Sequence, residues 1–293
     1  MSTATISAAE SGTFTMGDLT VNRLGFGAMR ITGPGIWGEP KDPAEAQRVL
    51  RRAVELGVNF IDTADSYGPS VSEQIIGDTL YPYPTGLVIA TKGGLTRQGP
   101  DRWAPVGRPE YLRQQTEMSL RRLRVERIDL YQLHRIDPKV PVEESLGVLK
   151  DLQSEGKIRH IGLSEVSPAE IERAQKTVEI VSVQNKYNLS DRAHEPTLTW
   201  CEQHNVGFIP WFPVAAGQLA RPGGVLDEVA RRHGATVAQL SIAWLLHRSP
   251  VMLPIPGTSS VPHLEENIAS AGVKLSADEW KTIEQAAESA SQK

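Results

Sequence analysis

The chain has 293 residues, of which 40% are hydrophobic and 23% charged, so it can bury a large core and is too apolar for a disordered protein. Its formal net charge of -4 at pH 7 and its isoelectric point near 6.0 leave no surplus of positive charge for phosphate backbones. These values exclude nucleic-acid binding as a main function.

We expect residues 1–293 to form a single domain in which residues 1–12 are a flexible tail. This tail has neither a basic start nor an apolar run as long as that of a signal peptide. No later segment approaches the roughly 18 consecutive apolar residues that cross a bilayer. The lone cysteine, Cys201, has no partner for an internal disulfide, which is typical of a cytoplasmic protein. No metal is predicted, because neither a CxxC pair nor an HExxH motif is present.

Two short runs, Thr13–Met16 and Leu19–Asn22, flank Gly17 and Asp18 and predict a β-hairpin. After this hairpin, short apolar runs rich in β-branched residues alternate with longer segments of helical periodicity. The runs cover residues 23–28, 59–63, 87–91, 128–133, 160–163, 180–184, 207–211 and 251–255. Runs that recur every 30–40 residues or so, eight in all, are typical of βα units in a barrel, whereas a doubly wound sheet has about five or six strands.

Helix start and stop signals separate these runs. Asp42 begins a helical pattern that Gly57 ends, and Ser167 precedes another. Helical patterns over residues 236–247 and 276–287 exceed one helix per strand. We therefore predict an α/β fold, a (β/α)8 TIM barrel with an N-terminal β-hairpin that closes its bottom and with extra C-terminal helices.

Polar side chains follow three successive strands at the point where each strand ends. Asp62 and Tyr67 follow the second run, Lys92 the third and His134 the fourth. Taken singly, each has an ordinary structural explanation: a helix cap, a packed aromatic, a solvated lysine and a core histidine. Because the carboxyl ends of barrel strands form one face, we expect the four side chains to meet there as a catalytic set.

An acid, a phenol, an amine and an imidazole together suit one kind of proton transfer. A phenol has an ordinary pKa of about 10, and a buried ammonium such as that of Lys92 favours its ionised form. Asp62 would keep Lys92 charged, and His134 can bind a carbonyl oxygen or relay protons to Tyr67. This chemistry fits protonation of a carbonyl oxygen while a cofactor supplies hydride to the carbon.

Residues 23 to about 287 resemble the aldo-keto reductase family through the motifs DTADSYG, ATKGG and YQLHR. The resemblance implies a (β/α)8 barrel that binds NAD(P)H without a Rossmann domain, with Asp62, Tyr67, Lys92 and His134 as its catalytic residues. It also implies that GFGAMR lines the first strand end beside the nicotinamide.

The motifs IGLSE, VQNKYN, IPWFPVAAGQL and IPGTSSVPHLEEN carry the implied cofactor site. Ser164 and Gln184 correspond to the carboxamide contacts, with Glu165 where asparagine is common, and Trp211 corresponds to the aromatic that stacks on the nicotinamide. The full implied set of cofactor contacts is Gly27, Met29, Asp62, Ser164, Gln184, Trp211, Phe212, Pro213, Val214, Gly217, Leu219, Gly257, Thr258, Ser259, His263, Glu266 and Asn267.

The cofactor site departs from many family members where a lysine and an arginine bind the 2′-phosphate of NADPH. Gly257 and His263 stand at those positions, and loss of the charged pair weakens phosphate binding. His263, Ser259 and backbone amides at a helix start can still bind a phosphate. By resemblance to a branch that shares the IPGT motif, we predict NADPH as the preferred cofactor, with NADH as the alternative.

The predicted substrate pocket is aromatic and apolar, with Trp37, Trp103, Phe212 and Met29 and little to hold a charged group. The motifs VNRLGFGAM, GPGIWG and LYPYP resemble a bacterial branch described as pyridoxal reductases or pyridoxine 4-dehydrogenases. We therefore expect a small-molecule carbonyl substrate, with pyridoxal first and other aromatic or aliphatic carbonyls as alternatives.

Two other classes of function stay open at this level. The first is a regulatory, nicotinamide-binding subunit that resembles the potassium-channel β subunits. The second is a barrel hydrolase or isomerase that uses Asp62 or Glu165 with His134; it leaves Tyr67 and Lys92 without a role. No membrane or nucleic-acid partner is expected, and a monomer is the default.

Overall fold

The computed structural model describes residues 6–214 and 222–291, with the backbone alone at residues 288–291. The strands are β1 (Thr13–Met16), β2 (Leu19–Asn22), β3 (Phe26–Gly27), β4 (Phe60–Asp62), β5 (Val88–Gly93), β6 (Leu95–Gly99), β7 (Arg102–Pro105), β8 (Ile128–Leu133), β9 (Ile158–Ser164), β10 (Ile180–Lys186) and β11 (Gly207–Trp211). The α-helices are α1 (Pro43–Glu55), α2 (Val71–Leu80), α3 (Pro109–Leu123), α4 (Val142–Ser154), α5 (Pro168–Gln175), α6 (Glu195–His204), α7 (Val225–Arg232), α8 (Val237–Arg248), α9 (Val261–Ala269) and α10 (Ala277–Ser291).

Seven parallel strands form one curled sheet in the order β11-β10-β9-β8-β5-β4-β3. The strands are buried over nearly their whole length, because helices cover the outer face and side chains fill the inner one. The predicted α/β barrel is confirmed, as are the N-terminal hairpin and the extra C-terminal helices α8 and α10.

The eighth predicted strand, residues 251–255, is not a strand. It forms an isolated parallel bridge to β11, in which Phe208 N donates to Val251 O at 2.9 Å and Leu253 N donates to Phe208 O at 2.8 Å, and on the other side Gly25 N donates to Pro254 O at 3.0 Å. Proline has no N–H to donate, so Pro254 interrupts any ladder. The segment still lies between β11 and β3 and closes the barrel.

The β1–β2 hairpin closes the bottom of the barrel. Met16, Leu19 and Val21 are buried in one cluster with interior residues such as Phe60 and Leu130. Asn22 N also donates a 2.7 Å hydrogen bond to Asn59 Oδ1 just before β4. Polar chemistry is therefore left to the opposite end, where the strands finish.

The end of the expected tail is ordered in the structure. Ala8–Ser11 is a 3-10 helix that Ser7 caps, and Ala8 is fully buried with its N–H donating to Leu56 O at 2.8 Å. The structure differs from the expectation here because Ala8 packs against α1, which the sequence pattern did not indicate.

Two further observations concern membrane-spanning helices and clusters of metal-binding side chains. No helix in the described part of the chain is both long and apolar enough to cross a membrane. Among the same residues, no three His, Cys, Asp or Glu side chains are grouped so that they could hold a metal ion.

Candidate active site

A buried ion pair lies at the floor of the site, where β4 and β5 end side by side. Lys92 Nζ donates to Asp62 Oδ1 and Oδ2 at 2.5 and 2.8 Å and to the Thr63 carbonyl oxygen at 2.8 Å. Lys92 is fully buried and Asp62 is 1% exposed. The pairing compensates two charges that water does not reach.

Two amide side chains complete the surroundings of Asp62. Gln184 Nε2 lies 3.1 and 2.9 Å from the two carboxylate oxygens, and Gln132 Nε2 lies 3.3 Å from Oδ2. The amide nitrogen of Gln184 is thus used within the protein, which leaves its oxygen for a ligand. Gln132 is a residue that the sequence analysis missed.

The hydroxyl of Tyr67 connects this ion pair to the cleft. It lies 3.3 Å from Lys92 Nζ, and the side chain is almost fully buried. Burial raises the pKa of Tyr67 above its ordinary value, while the charge of Lys92 lowers it by a smaller amount. The expected influence of Lys92 is present, but burial outweighs it and Tyr67 is a neutral donor at pH 7.

His134 is the second polar group above the floor. Its Nδ1 lies 3.3 Å from Ser66 Oγ, and its ring centroid lies 6.0 Å from that of Tyr67 and 6.4 Å from that of Trp103. Burial, with the nearby charges of Lys92 and Arg135, holds the pKa of His134 well below its ordinary value. The imidazole is therefore neutral at physiological pH.

These groups open into a cleft of about 790 Å³. The residues expected at the site that line it are Gly27, Met29, Asp62, Tyr67, Trp103, His134, Ser164, Gln184, Trp211, Phe212, Pro213, Val214, Gly257, Thr258, His263, Glu266 and Asn267. Phe212 and Val214 are 49% and 41% exposed, so the cleft presents apolar surface that suits a planar ligand.

Other expected residues lie elsewhere. Lys92 lies beneath the cleft without exposed surface. Ser259 lines an adjoining cavity of about 680 Å³, and Trp37 lies outside the cleft with its ring 5.7 Å from the Arg97 guanidinium. Gly217 and Leu219 lie outside the described residues.

Trp211 is held in place by Glu165. Trp211 Nε1 donates to Glu165 Oε1 at 2.6 Å, and the same oxygen accepts from Lys186 N at 2.7 Å. Glu165 has a left-handed backbone with φ of 57°, a conformation that costs free energy and occurs often at functional sites. The glutamate that replaces the family's asparagine therefore positions the tryptophan.

The backbone amides that the sequence analysis expected to bind a phosphate have other partners in the structure. Val261 N donates to Glu45 Oε1 at 2.9 Å, and Ser260 N donates to Thr258 Oγ1 at 3.2 Å. These helix-start amides are therefore already bonded. A Cβ at Gly257 would lie 2.6 Å from Gly27 O, so the close approach of two backbones excludes a lysine there.

Two arginines in the cleft were missed. Arg30 borders both cavities near Gly257, and Arg135 lies beside His134. The expectation of a pocket with little to hold a charged group is therefore wrong. The sequence signals were the place of Arg30 in the motif GFGAMR and the position of Arg135 directly after His134, and only the fold places both guanidinium groups at the cleft.

Asp65, in the loop between β4 and α2, gives a testable pH dependence. Burial, followed by the charge of Glu73, raises its pKa well above the ordinary value, and neither carboxylate oxygen has a well-aligned hydrogen-bond partner among the described residues. A carboxyl with a raised folded-state pKa loses its contribution to stability as the pH rises through that pKa.

We expect Asp65→Asn to stabilise the protein at pH 8 by about 1–3 kcal/mol and the gain to shrink towards pH 5, because the amide avoids the ionisation. Denaturant unfolding at both pH values measures the difference. The exposed Asp101→Asn is the control and should show no such pH dependence. An Asp65→Asn variant that is less stable than the parent at pH 8 contradicts this interpretation.

Similarity to known proteins extends from the first barrel strand to the last helix. Residues 23–288 match the sequence profile of the aldo/keto reductase family. An uncharacterised oxidoreductase of Schizosaccharomyces pombe is 52% identical over 280 residues, covering 96% of this chain and 91% of that protein. A pyridoxine 4-dehydrogenase of Escherichia coli is 43% identical over 280 residues, covering 94% and 98%. A solved aldo-keto reductase of Klebsiella pneumoniae in complex with NADPH superposes with a TM-score of 0.80 at 25% identity, covering 94% of each chain.

Proposed function

This chain belongs to the aldo/keto reductase family and is an NAD(P)H-dependent oxidoreductase, and from that premise we propose that it reduces pyridoxal to pyridoxine with NADPH. Reduction of other aromatic or aliphatic carbonyl compounds is the alternative within the same chemistry. Membership of this family excludes the alternative of a barrel hydrolase or isomerase.

The observation that carries the proposal is the buried chain of contacts from Asp62 through Lys92 to the Tyr67 hydroxyl, which borders the cleft. In the proposed reaction a bound reduced nicotinamide supplies hydride to the carbonyl carbon. Tyr67 donates its hydroxyl proton to the carbonyl oxygen, and Lys92 stabilises the phenolate that results. Asp62 keeps Lys92 charged, and neutral His134 orients the carbonyl oxygen.

The lining of the cleft fits a nicotinamide dinucleotide at both ends. Ser164, the oxygen of Gln184 and the ring of Trp211 suit the nicotinamide and its carboxamide. Arg30 and His263 line the other end, where the Arg30 guanidinium supplies positive charge and the His263 ring supplies a polar nitrogen for phosphate groups. This support for NADPH does not depend on the helix-start amides, which are already bonded.

We propose that the protein acts as a monomer in the cytoplasm. Its cysteine, Cys201, is a buried free thiol, which suits a reducing compartment. Of the large hydrophobic residues that are exposed in the described chain, Phe212 and Val214 line the cleft, and Trp37 and Tyr81 lie outside it.

The rate of cofactor oxidation tests the proposal directly. Purified protein is given NADPH or NADH with pyridoxal, benzaldehyde or a short aliphatic aldehyde, and kcat/KM is measured for each pair. We expect pyridoxal with NADPH to give the highest value, because the aromatic lining suits a planar aldehyde and the Arg30 end suits an additional phosphate.

Each other outcome has a definite meaning. Higher kcat/KM with benzaldehyde than with pyridoxal keeps the reductase and rejects this substrate. Comparable Kd values for NADPH and NADH reject the cofactor preference. Cofactor binding without turnover of any aldehyde favours the regulatory alternative.

A further inference from the structure

Arg135 is an arginine that lines the cleft and that the proposed reduction does not use. It follows β8 directly after His134, is partly buried, and lines the same cavity as Tyr67 and Trp103. The guanidinium is thus next to the groups that would receive a carbonyl substrate.

The hydrogen-bond partners of Arg135 among the described residues are neutral. Its Nη1 donates to the His134 carbonyl oxygen at 2.6 Å and to Ser164 Oγ at 3.0 Å. No carboxylate oxygen of the described residues lies within 4.0 Å of the guanidinium, whereas Arg122 pairs with Glu73 at 2.6 Å.

The charged groups around Arg135 make no ion pair with it among the described residues. Asp62 is paired with Lys92, and His134 is neutral. Glu165 accepts hydrogen bonds from Trp211 Nε1 and the Lys186 amide, and its negative charge acts on Arg135 without direct contact. Burial lowers the pKa of Arg135, as expected for a cation removed from water. A partly buried guanidinium with two donor nitrogens, Nε and Nη2, that bond to none of the described residues suits an anionic ligand.

We propose that Arg135 is a substrate-binding residue that selects carbonyl compounds bearing an anionic oxygen, a carboxylate or a phenolate, close to the reacting carbonyl. The inference rests on the proposed carbonyl reduction and narrows its substrate class. The planar fork of Nε and Nη2 matches a carboxylate in two parallel hydrogen bonds or a phenolate in a bifurcated one. Pyridoxal, with a hydroxyl group next to its aldehyde, belongs to this class.

A matched pair of aldehydes separates charge recognition from the reaction. 3-Formylbenzoate and its methyl ester have the same reacting group, and a carboxyl group is ionised at pH 7. We expect the wild-type protein to reduce the acid with the higher kcat/KM. In Arg135→Met the acid-to-ester ratio of kcat/KM should fall roughly ten- to hundredfold, mainly through the KM of the acid.

Two variants control this experiment. Arg102→Met removes an exposed guanidinium from β7, so it reports the effect of net charge and should leave the ratio unchanged. Arg135→Lys keeps the charge without the planar fork and should restore part of the ratio. The acid-to-ester ratio of kcat/KM is calculated within each variant. A general loss of folding or of cofactor binding lowers kcat/KM for both substrates equally and therefore leaves this ratio unchanged.

Binding of benzoate to the NADP⁺ complex, followed by tryptophan fluorescence, provides a readout without turnover. We expect benzoate affinity to fall roughly tenfold or more in Arg135→Met. An unchanged acid-to-ester ratio in Arg135→Met, or a wild-type preference for the ester, overturns the assignment of Arg135 and leaves the reductase intact. Failure to reduce either aldehyde, with cofactor bound, overturns the proposed function itself.

Discussion

Tyr67→Phe is expected to lower kcat for carbonyl reduction by roughly 10²–10⁴-fold and to leave the Kd for NADPH within about twofold. The phenol is the only proposed proton donor to the carbonyl oxygen, and phenylalanine keeps the ring that packs against His134 and Trp103. Lys92 keeps its bonds to Asp62 and to the Thr63 carbonyl oxygen, so the floor of the site stays intact. Steady-state kinetics and cofactor titration measure the two quantities.

Tyr83→Phe is the matched control for Tyr67→Phe. Tyr83 also donates through a partly buried hydroxyl, in this case to Leu123 O at 2.7 Å away from the cleft. Loss of the Tyr83 hydroxyl should leave kcat unchanged. Full activity in Tyr67→Phe would reject Tyr67 as the acid. A regulatory nicotinamide-binding subunit would instead show no aldehyde turnover in the parent protein.

Lys92→Met is expected to abolish measurable turnover and to destabilise the protein by about 3–5 kcal/mol, because it leaves the buried Asp62 carboxylate without its cation. The amides of Gln184 and Gln132 remain near Asp62 but carry no full charge. Denaturant unfolding at pH 7 measures the stability, and cofactor oxidation measures the activity.

The double variant Asp62→Asn/Lys92→Met separates stability from chemistry. A neutral asparagine does not need the missing ammonium, so we expect the double variant to regain much of the lost stability and none of the activity. Arg124→Met is the control, because it breaks an ion pair at the surface: the side chains of Arg124 and Asp78 are 46% and 40% exposed. We expect this variant to lose about 0–1 kcal/mol of the free energy of unfolding. A Lys92→Met protein as stable as the parent would contradict the assignment of a charged pair.

Much of the fold was predictable because its signals are local. The hairpin strands Thr13–Met16 and Leu19–Asn22 have the predicted boundaries, since alternation and turn residues act over a few positions. The strand over residues 251–255 failed for a local reason as well, because Pro254 cannot donate to a ladder. The β6–β7 hairpin, which carries Trp103 to the cleft, has no strong alternating pattern and was missed.

The sequence by itself determined the alternation of the first seven barrel strands with helices and the presence of Asp62, Tyr67, Lys92 and His134 at successive strand ends. Parallel strands of a barrel finish on one face, so chain position was enough to bring these residues together. Their chemical states were decided only by the tertiary structure, because burial and charge depend on neighbours from distant parts of the chain.

The same distinction applies to the binding residues around the cleft. The sequence supplied Glu165, Gln184 and Arg135 as polar side chains near strand ends, without indicating their partners. Tertiary structure bonds Glu165 to Trp211 and Gln184 to Asp62, and it leaves Arg135 beside two neutral oxygens. These pairings depend on distances of a few ångströms across separate strands, which periodicity along the chain does not encode.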